Sequence, residues 1–319
     1  MVAALLEWVL VVLAIAFAWS IGAHYTGACM GMPYAAGALR ITTALLLMAP
    51  LALVGAVVAS GQVETTVGHG ILGGAPIGVP TAVVILAVAF ALTATYNFVA
   101  LPTSTIQLFV FSVVGVGLAT GAPVRWSTIE LLLAVWAAAP FATLALGFLF
   151  VRAIDRGAPP GRMTFLVTGT LVAVGSAASF AMGANDVSNA SGPLVMTGMF
   201  SLAVAGLIGG IGLAAGVLTW GRPLLKRVAF DIVRLDPRMA IGAQLAQATV
   251  ILVSVAFGTF TSMNQALIGG MIGAGLARGR RVVQWGTVRG ILLGWSAGPA
   301  SGAALGFGVA TLLVHVGWL

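Results

Sequence analysis

Of the chain's 319 residues, 60% are hydrophobic and 7% are charged, which leaves too little polar surface to cover a water-soluble globule. The chain therefore reads as an integral membrane protein, and its apolar runs of about 20 residues fit bilayer helices rather than the alternating strands of a barrel. Its net charge of +7 sits in a few short loops, which excludes nucleic acid as a partner, and its single cysteine, Cys29, excludes an internal disulfide.

Met1 to Ser20 carries Glu7 and has no basic n-region, so it reads as a first span and not as a secretory signal. A Gly-rich polar break begins at Ile21, and spans follow near 40–60, 79–100, 102–121 and 129–152. The same order then recurs, with spans near 163–182, 199–220, 239–258, 260–277 and 290–317 and a polar break after the first of them. The halves are copies of one unit. Shifted by 161 residues, Gly22, Gly31, Gly37 and Gly55 meet Gly183, Gly192, Gly198 and Gly216. Shifted by 158, Thr103, Ser104 and Gln107 meet Thr261, Ser262 and Gln265; shifted by 159, Trp126, Trp136 and Pro140 meet Trp285, Trp295 and Pro299. The expected organisation is a first transmembrane repeat over 1–152, a cytoplasmic linker over 153–162 and a second repeat over 163–319.

If each polar break re-enters the membrane and returns to the side it left, each repeat crosses five times and the second is inverted. The charges agree. Segments 61–78 and 122–128 hold only Arg125, whereas the matching segments 221–238 and 278–289 hold Arg222, Lys226, Arg227, Arg234, Arg238, Arg278, Arg280, Arg281 and Arg289. By the positive-inside rule equivalent loops lie on opposite sides, the linker with Arg152, Arg156 and Arg162 is cytoplasmic, and both termini are outside a multi-pass cell-membrane protein. The fold class expected is all-α, with two inverted-topology repeats of about five spans each plus a broken or re-entrant Gly-rich segment. Such inverted repeats are the architecture of secondary transporters, whose site lies at the midplane where the copies meet.

Polar residues in an apolar chain are costly in lipid and should face a cavity. The largest cluster runs from Met182 to Pro193 and includes Asn185, Asp186 and Asn189. Asn185 and Asn189 are four apart, on one side of a helical turn, and with Asp186 they can hold a hard cation or a proton. An Asp that merely caps a helix start explains one acid but not the two amides and a hydroxyl beside it. The second cluster, Pro102-Thr103-Ser104-Thr105, has a counterpart in Thr261 and Ser262; two such helix starts can converge on one tetrahedral oxyanion.

In the first copy His24, Tyr25 and Ala28 stand where the second has Asn185, Asp186 and Asn189, so the cation site has lost its twin. His24 is read as a hydrogen-bonded neutral imidazole, with a proton carrier as the alternative. Tyr25 is read as packing with its hydroxyl satisfied. Glu7, Glu64, Glu130, Asp155, Asp231 and Asp236 lie in loops or near span ends and are expected to be solvated.

The run Gly183-Ala184-Asn185-Asp186-Val187-Ser188-Asn189-Ala190, with Gly192-Pro193, closely resembles the glycine-alanine-asparagine-aspartate motif of the inorganic phosphate transporter (PiT) family. Pro102-Thr103-Ser104-Thr105 resembles that family's proline-x-serine-threonine stretch. The resemblance implies an inverted-repeat fold and cation-coupled uptake of an oxyanion. It assigns Asp186, Asn185 and Asn189 to cation and substrate, and Thr103, Ser104, Thr105, Thr261 and Ser262 to the anion. The chain departs from the phosphate pattern at Tyr25, where the family has its first Asp, and at Phe260 and Met263. With Met30-Gly31-Met32-Pro33-Tyr34 following, that loss is similar to the CysP-type sulfate permeases of the family.

Chemistry points the same way, since phosphate near neutral pH still carries hydrogen and benefits from a carboxylate acceptor, whereas sulfate is acceptor-only and is repelled by one. The expectation is a secondary transporter (symport) of sulfate, with phosphate or thiosulfate as alternatives and a passive anion channel as a rival class. The coupling ion is H+ or Na+, with Asp186 as the sodium position in the second case, and no other cofactor is expected. The partners are the oxyanion and membrane lipid, with a homo-oligomer left open. No enzyme is indicated, for the sequence has neither a metal-ligand spacing nor a nucleophile beside a base.

Overall fold

The computed structural model describes residues 2–73, 76–99, 103–157, 164–228, 236–279 and 285–319. The first copy comprises α1 (Val2–His24), α2 (Thr26–Ala35), α3 (Ile41–Val58), the short α4 (Gly61–Thr65) with a π-helical turn (Thr66–Gly70), α5 (Val79–Val99), α6 (Thr105–Thr120) and α7 (Trp126–Gly157). The second comprises α8 (Thr164–Met196), α9 (Leu202–Val228), α10 (Pro237–Ala256), α11 (Met263–Arg278) and α12 (Trp285–His315). Among the described residues, eight helical segments are long and apolar enough to cross a membrane.

The Gly-rich segments do not turn back. In the second copy α8 runs 33 residues without a break, straight through Asn185, Asp186 and Asn189. In the first, α1 and α2 form one apolar rod, Ala3–Ala35, interrupted only at Tyr25. Glycine normally weakens a helix by roughly 0.5–1 kcal/mol against alanine, but here its missing side chain lets two helix backbones touch. A Cβ at Gly183 would lie 1.9 Å from the Ala52 carbonyl oxygen of α3, and one at Gly22 would lie 2.1 Å from that of Leu213 in α9. A Cβ at Gly55 or Gly216 would likewise strike the carbonyl oxygen of Phe180 or Trp19, at 2.1 and 1.9 Å. These contacts are related by the 161-residue shift, so each copy's first rod is clasped by the other copy's second helix.

Re-entry occurs elsewhere. The residues before α5 meet those after α6, through an isolated antiparallel bridge between Leu72 and Val124 and a Gly73 N–H donated to the Pro123 carbonyl at 2.7 Å. The start and the end of the α5–α6 pair therefore share one side. At the other end, Gln107 in the first turn of α6 and Gln265 in the first turn of α11 exchange amide hydrogen bonds of 3.2 Å. Helices starting at opposite faces could not meet by their first turns, so both start within the membrane. With 16 residues, α6 is about 24 Å long, short of the ~30 Å hydrocarbon core. The stretches 102–121 and 260–277, expected as full spans, are arms of hairpins; Pro102 lies outside the described residues.

Each copy thus has three full crossings and one hairpin, still an odd number. The basic ends gather on one side: Asp155 at the end of α7 pairs with Arg238 at 3.2 Å and with Arg278, which also holds Asp236 at 3.0 Å. Asp155 and Asp236, expected as solvated charges, are members of this network. The 32 residues of α7 separate it from the loop at Arg125 by about 48 Å, so equivalent loops of the two copies are on opposite sides.

Candidate functional site

The starts of α6 and α11 are built alike. Ser104 accepts the Gln107 N–H at 3.3 Å and Ser262 accepts the Gln265 N–H at 3.4 Å, so each serine caps its helix through a lone pair. Each keeps its hydroxyl proton, at the positive end of a helix dipole. Thr103 and Thr261, one residue earlier in each copy, have hydroxyls that are buried and without a partner among the described residues. Buried polar groups are ordinarily paired, and these two symmetric exceptions, at two facing helix starts, are hydroxyl donors that an acceptor-rich ligand could use. Thr105 is engaged differently, by the Tyr25 hydroxyl at 2.7 Å.

The α8 motif closes the site from the side. Asn185 holds the second hairpin tip through both ends of its amide, donating to the Thr261 carbonyl at 2.8 Å and accepting the Thr261 N–H at 3.1 Å. Its Nδ2 also donates to Asp186 Oδ2 at 3.0 Å. Asp186 Oδ1 and both polar atoms of Asn189 are buried and have no partner among the described residues. All the expected site residues, Thr103, Ser104, Thr105, Asn185, Asp186, Asn189, Thr261 and Ser262, are at most 1% exposed, so the site is closed to both sides. Ligand access then requires the elements around the site to move.

The first copy's counterpart is filled rather than open. His24 lies against the Thr103 backbone as Asn185 lies against that of Thr261, and its ring is held by Asn97 and by Asn264 Nδ2 at 3.1 Å. Asn264 also donates to the Thr103 carbonyl at 3.2 Å, and Asn97 to the Ser20 carbonyl at 3.1 Å. His24 is thus a fully hydrogen-bonded imidazole that pins the first hairpin tip. The Tyr25 hydroxyl, where the other copy has its aspartate, bonds Thr105 and reaches Asp186 itself.

Two polar residues that sequence reasoning passed over join the site from α10. Gln247 donates to the Met263 carbonyl at 3.2 Å, beside the tip held by Asn185, and Gln244 donates to the carbonyls of Cys29 and Ala28. The carbonyl oxygens of both side chains are buried and have no partner among the described residues. Two glutamines three apart in an otherwise apolar span were the available signal. Like Asp186 Oδ1 and Asn189 Oδ1, these are oxygen donors of the kind that a hard cation takes. Glu64 was expected to be solvated and is instead 1% exposed, bonded to Ser191 of α8.

The sequence matches the profile of the phosphate transporter family twice, over residues 21–165 and again over 158–306. The chain belongs to that family. It is accordingly a multi-pass membrane transporter of an anion and not an enzyme. Among its relatives, the sulfate permease CysP of Bacillus subtilis is 28% identical over 301 residues, covering 92% of this chain and 84% of that one. A putative phosphate permease of Pyrococcus horikoshii is 25% identical over 380 residues, covering 90% and 93%. Human sodium-dependent phosphate transporter 1 is 33% identical, but over 128 residues, which are 37% of this chain and 19% of its own length. A solved sodium-dependent phosphate transporter has the same fold, with a TM-score of 0.89 over 98% of this chain and 99% of that one at 20% identity.

Proposed function

We propose that the protein is a secondary transporter importing sulfate, coupled to a proton or a sodium ion carried at Asp186. The observation that carries this reading is the pair of symmetric helix starts, with the Thr103 and Thr261 hydroxyls unpartnered and the Ser104 and Ser262 protons free to donate. Four hydroxyl donors and two dipole ends facing each other suit a tetrahedral dianion that only accepts. Asn189 adds an amide donor from α8, and Thr105 supports the tip through Tyr25. Sulfate is favoured over phosphate because a single carboxylate lies in the α8 motif and Tyr25 takes the place of a second. A relative named a sulfate permease that aligns over 92% of the chain supports the same choice. The basic Asp155–Arg278 end is read as cytoplasmic, which places both termini outside.

Ser104→Ala and Ser262→Ala test the cradle. Each removes one hydrogen bond to a charged acceptor, worth about 1.5–3 kcal/mol, so sulfate affinity should fall roughly tenfold or more in each. Titration of sulfate into the purified variants measures it directly. Wild-type affinity in both variants would remove the two-helix cradle from this account.

A further inference from the structure

Glu64 is a buried carboxylate that no step of the transport reading uses. It sits on α4, outside the membrane-spanning helices, in a strap that lies flush on the end of α8; a Cβ at Gly192 would fall 2.1 Å from Val67, and one at Gly68 would fall 2.6 Å from Val195. Ser191, two residues beyond Asn189, donates to Glu64 Oε1 at 2.7 Å, and Ser60 offers a second hydroxyl. Among the described residues no cation pairs with the carboxylate. The cations of α9, Arg222, Lys226 and Arg227, lie 16 residues or more along the chain from Gly206, where a Cβ would be 3.0 Å from Glu64 Oε1, or about 24 Å along the helix. Arg238 is at the far end of α10, bound to Asp155, and α3 carries no charge. On α8 the nearest titratable group is Asp186, five residues before Ser191, and on the strap it is His69, which is exposed.

Packing does not require an acid here. The 161-residue shift maps Glu64 onto Leu225, which is also fully buried, so the second copy fills the equivalent position with an apolar side chain. A carboxylate in such surroundings costs stability that a leucine would not.

Resting on the transporter reading above, we propose that Glu64 is a second proton-binding site, which grips Ser191 of α8 and changes its hold on that helix as it gains and loses its proton. Burial pushes the Glu64 carboxyl up to about 7, while the Ser191 and Ser60 hydroxyls pull it down. Below that pH the group is neutral; above it the carboxylate binds the Ser191 hydroxyl more strongly, which holds α8 and slows the movement that opens the site.

Equilibrium exchange of labelled sulfate in proteoliposomes, with equal pH and equal sulfate on both sides, removes the driving gradients, and because any proton on Asp186 acts alike in wild type and in Glu64→Gln, the difference between the two reads Glu64. Wild-type exchange should fall several-fold below that of Glu64→Gln as the common pH rises through about 7, and the two rates should agree at lower pH. Ser191→Ala removes the bond through which the carboxylate holds α8, so its rates should follow those of Glu64→Gln. Equal rates in wild type and Glu64→Gln at every pH, or a Ser191→Ala variant that follows wild type, overturns the proposal.

Thermal unfolding reads the same proton without transport. A carboxyl whose folded pKa is raised makes the folded state the stronger proton binder between about 4.5 and about 7, so wild-type stability should fall across that window and Glu64→Gln should not follow it. Parallel unfolding curves would also overturn the proposal. Absence of wild-type sulfate exchange would instead refute the substrate reading, leaving the unfolding curves to judge Glu64.

Discussion

Replacing Asp186 with asparagine should abolish concentrative uptake while leaving anion exchange measurable. The amide keeps the shape of the carboxyl and its contact with Asn185, which is 3.0 Å away, but loses the charge. In this closed site a charged Asp186 and an incoming anion repel each other; unit charges about 4 Å apart at an effective dielectric near 20 interact by about 4 kcal/mol. A proton or sodium ion on Asp186 removes that penalty, which is what obliges cation and anion to move together. Without the charge the anion still enters, and no cation is needed. The expected variant equilibrates sulfate across the vesicle membrane and does not accumulate it. Accumulation by Asp186→Asn against a gradient would show that coupling lies elsewhere.

Gly183→Val should prevent folding of the transporter. The new Cβ alone would lie 1.9 Å from the Ala52 carbonyl oxygen and 2.7 Å from its carbon, both backbone atoms that cannot rotate away. Overpacking usually costs about 1–3 kcal/mol when side chains can adjust; here two helices must separate, so the loss should exceed that range. Gly308→Val, on α12 with nothing within 4 Å of the equivalent atom, is the matched control. Size-exclusion profiles in detergent should show a monodisperse control and an aggregated or absent Gly183→Val. A well-folded Gly183→Val would contradict the clasp between the repeats.

Much of this was legible in the chain. The recurrence of Thr-Ser-x-x-Gln placed both helix starts, and Gly183 to Pro193 placed the acid and its amides. The path of the backbone was not. An apolar stretch of about 20 residues looks the same whether it crosses the bilayer or forms the arm of a hairpin, and only the Gln107–Gln265 contact between copies separates the two. The Gly-rich segments suggested breaks because glycine is a poor helix former, yet their role is close backbone contact, and the partners, Ala52 and Leu213, are far away in sequence. Gln244, Gln247, Asn97 and Asn264 each face the site from another helix, and a single sequence gives no distance between helices. Glu64 sits beside a span end, where solvation is the ordinary state, and its burial comes from α8 and α9.

The central claim is that this fold couples a cation gradient to the movement of sulfate. Purified protein in proteoliposomes, given labelled sulfate or phosphate with proton and sodium gradients imposed one at a time, tests it most directly. Sulfate should accumulate above its external concentration under one of the two gradients, stop when an ionophore collapses that gradient, and be preferred to phosphate. Preference for phosphate, or sulfate entry that never exceeds equilibrium under either gradient, would contradict the account.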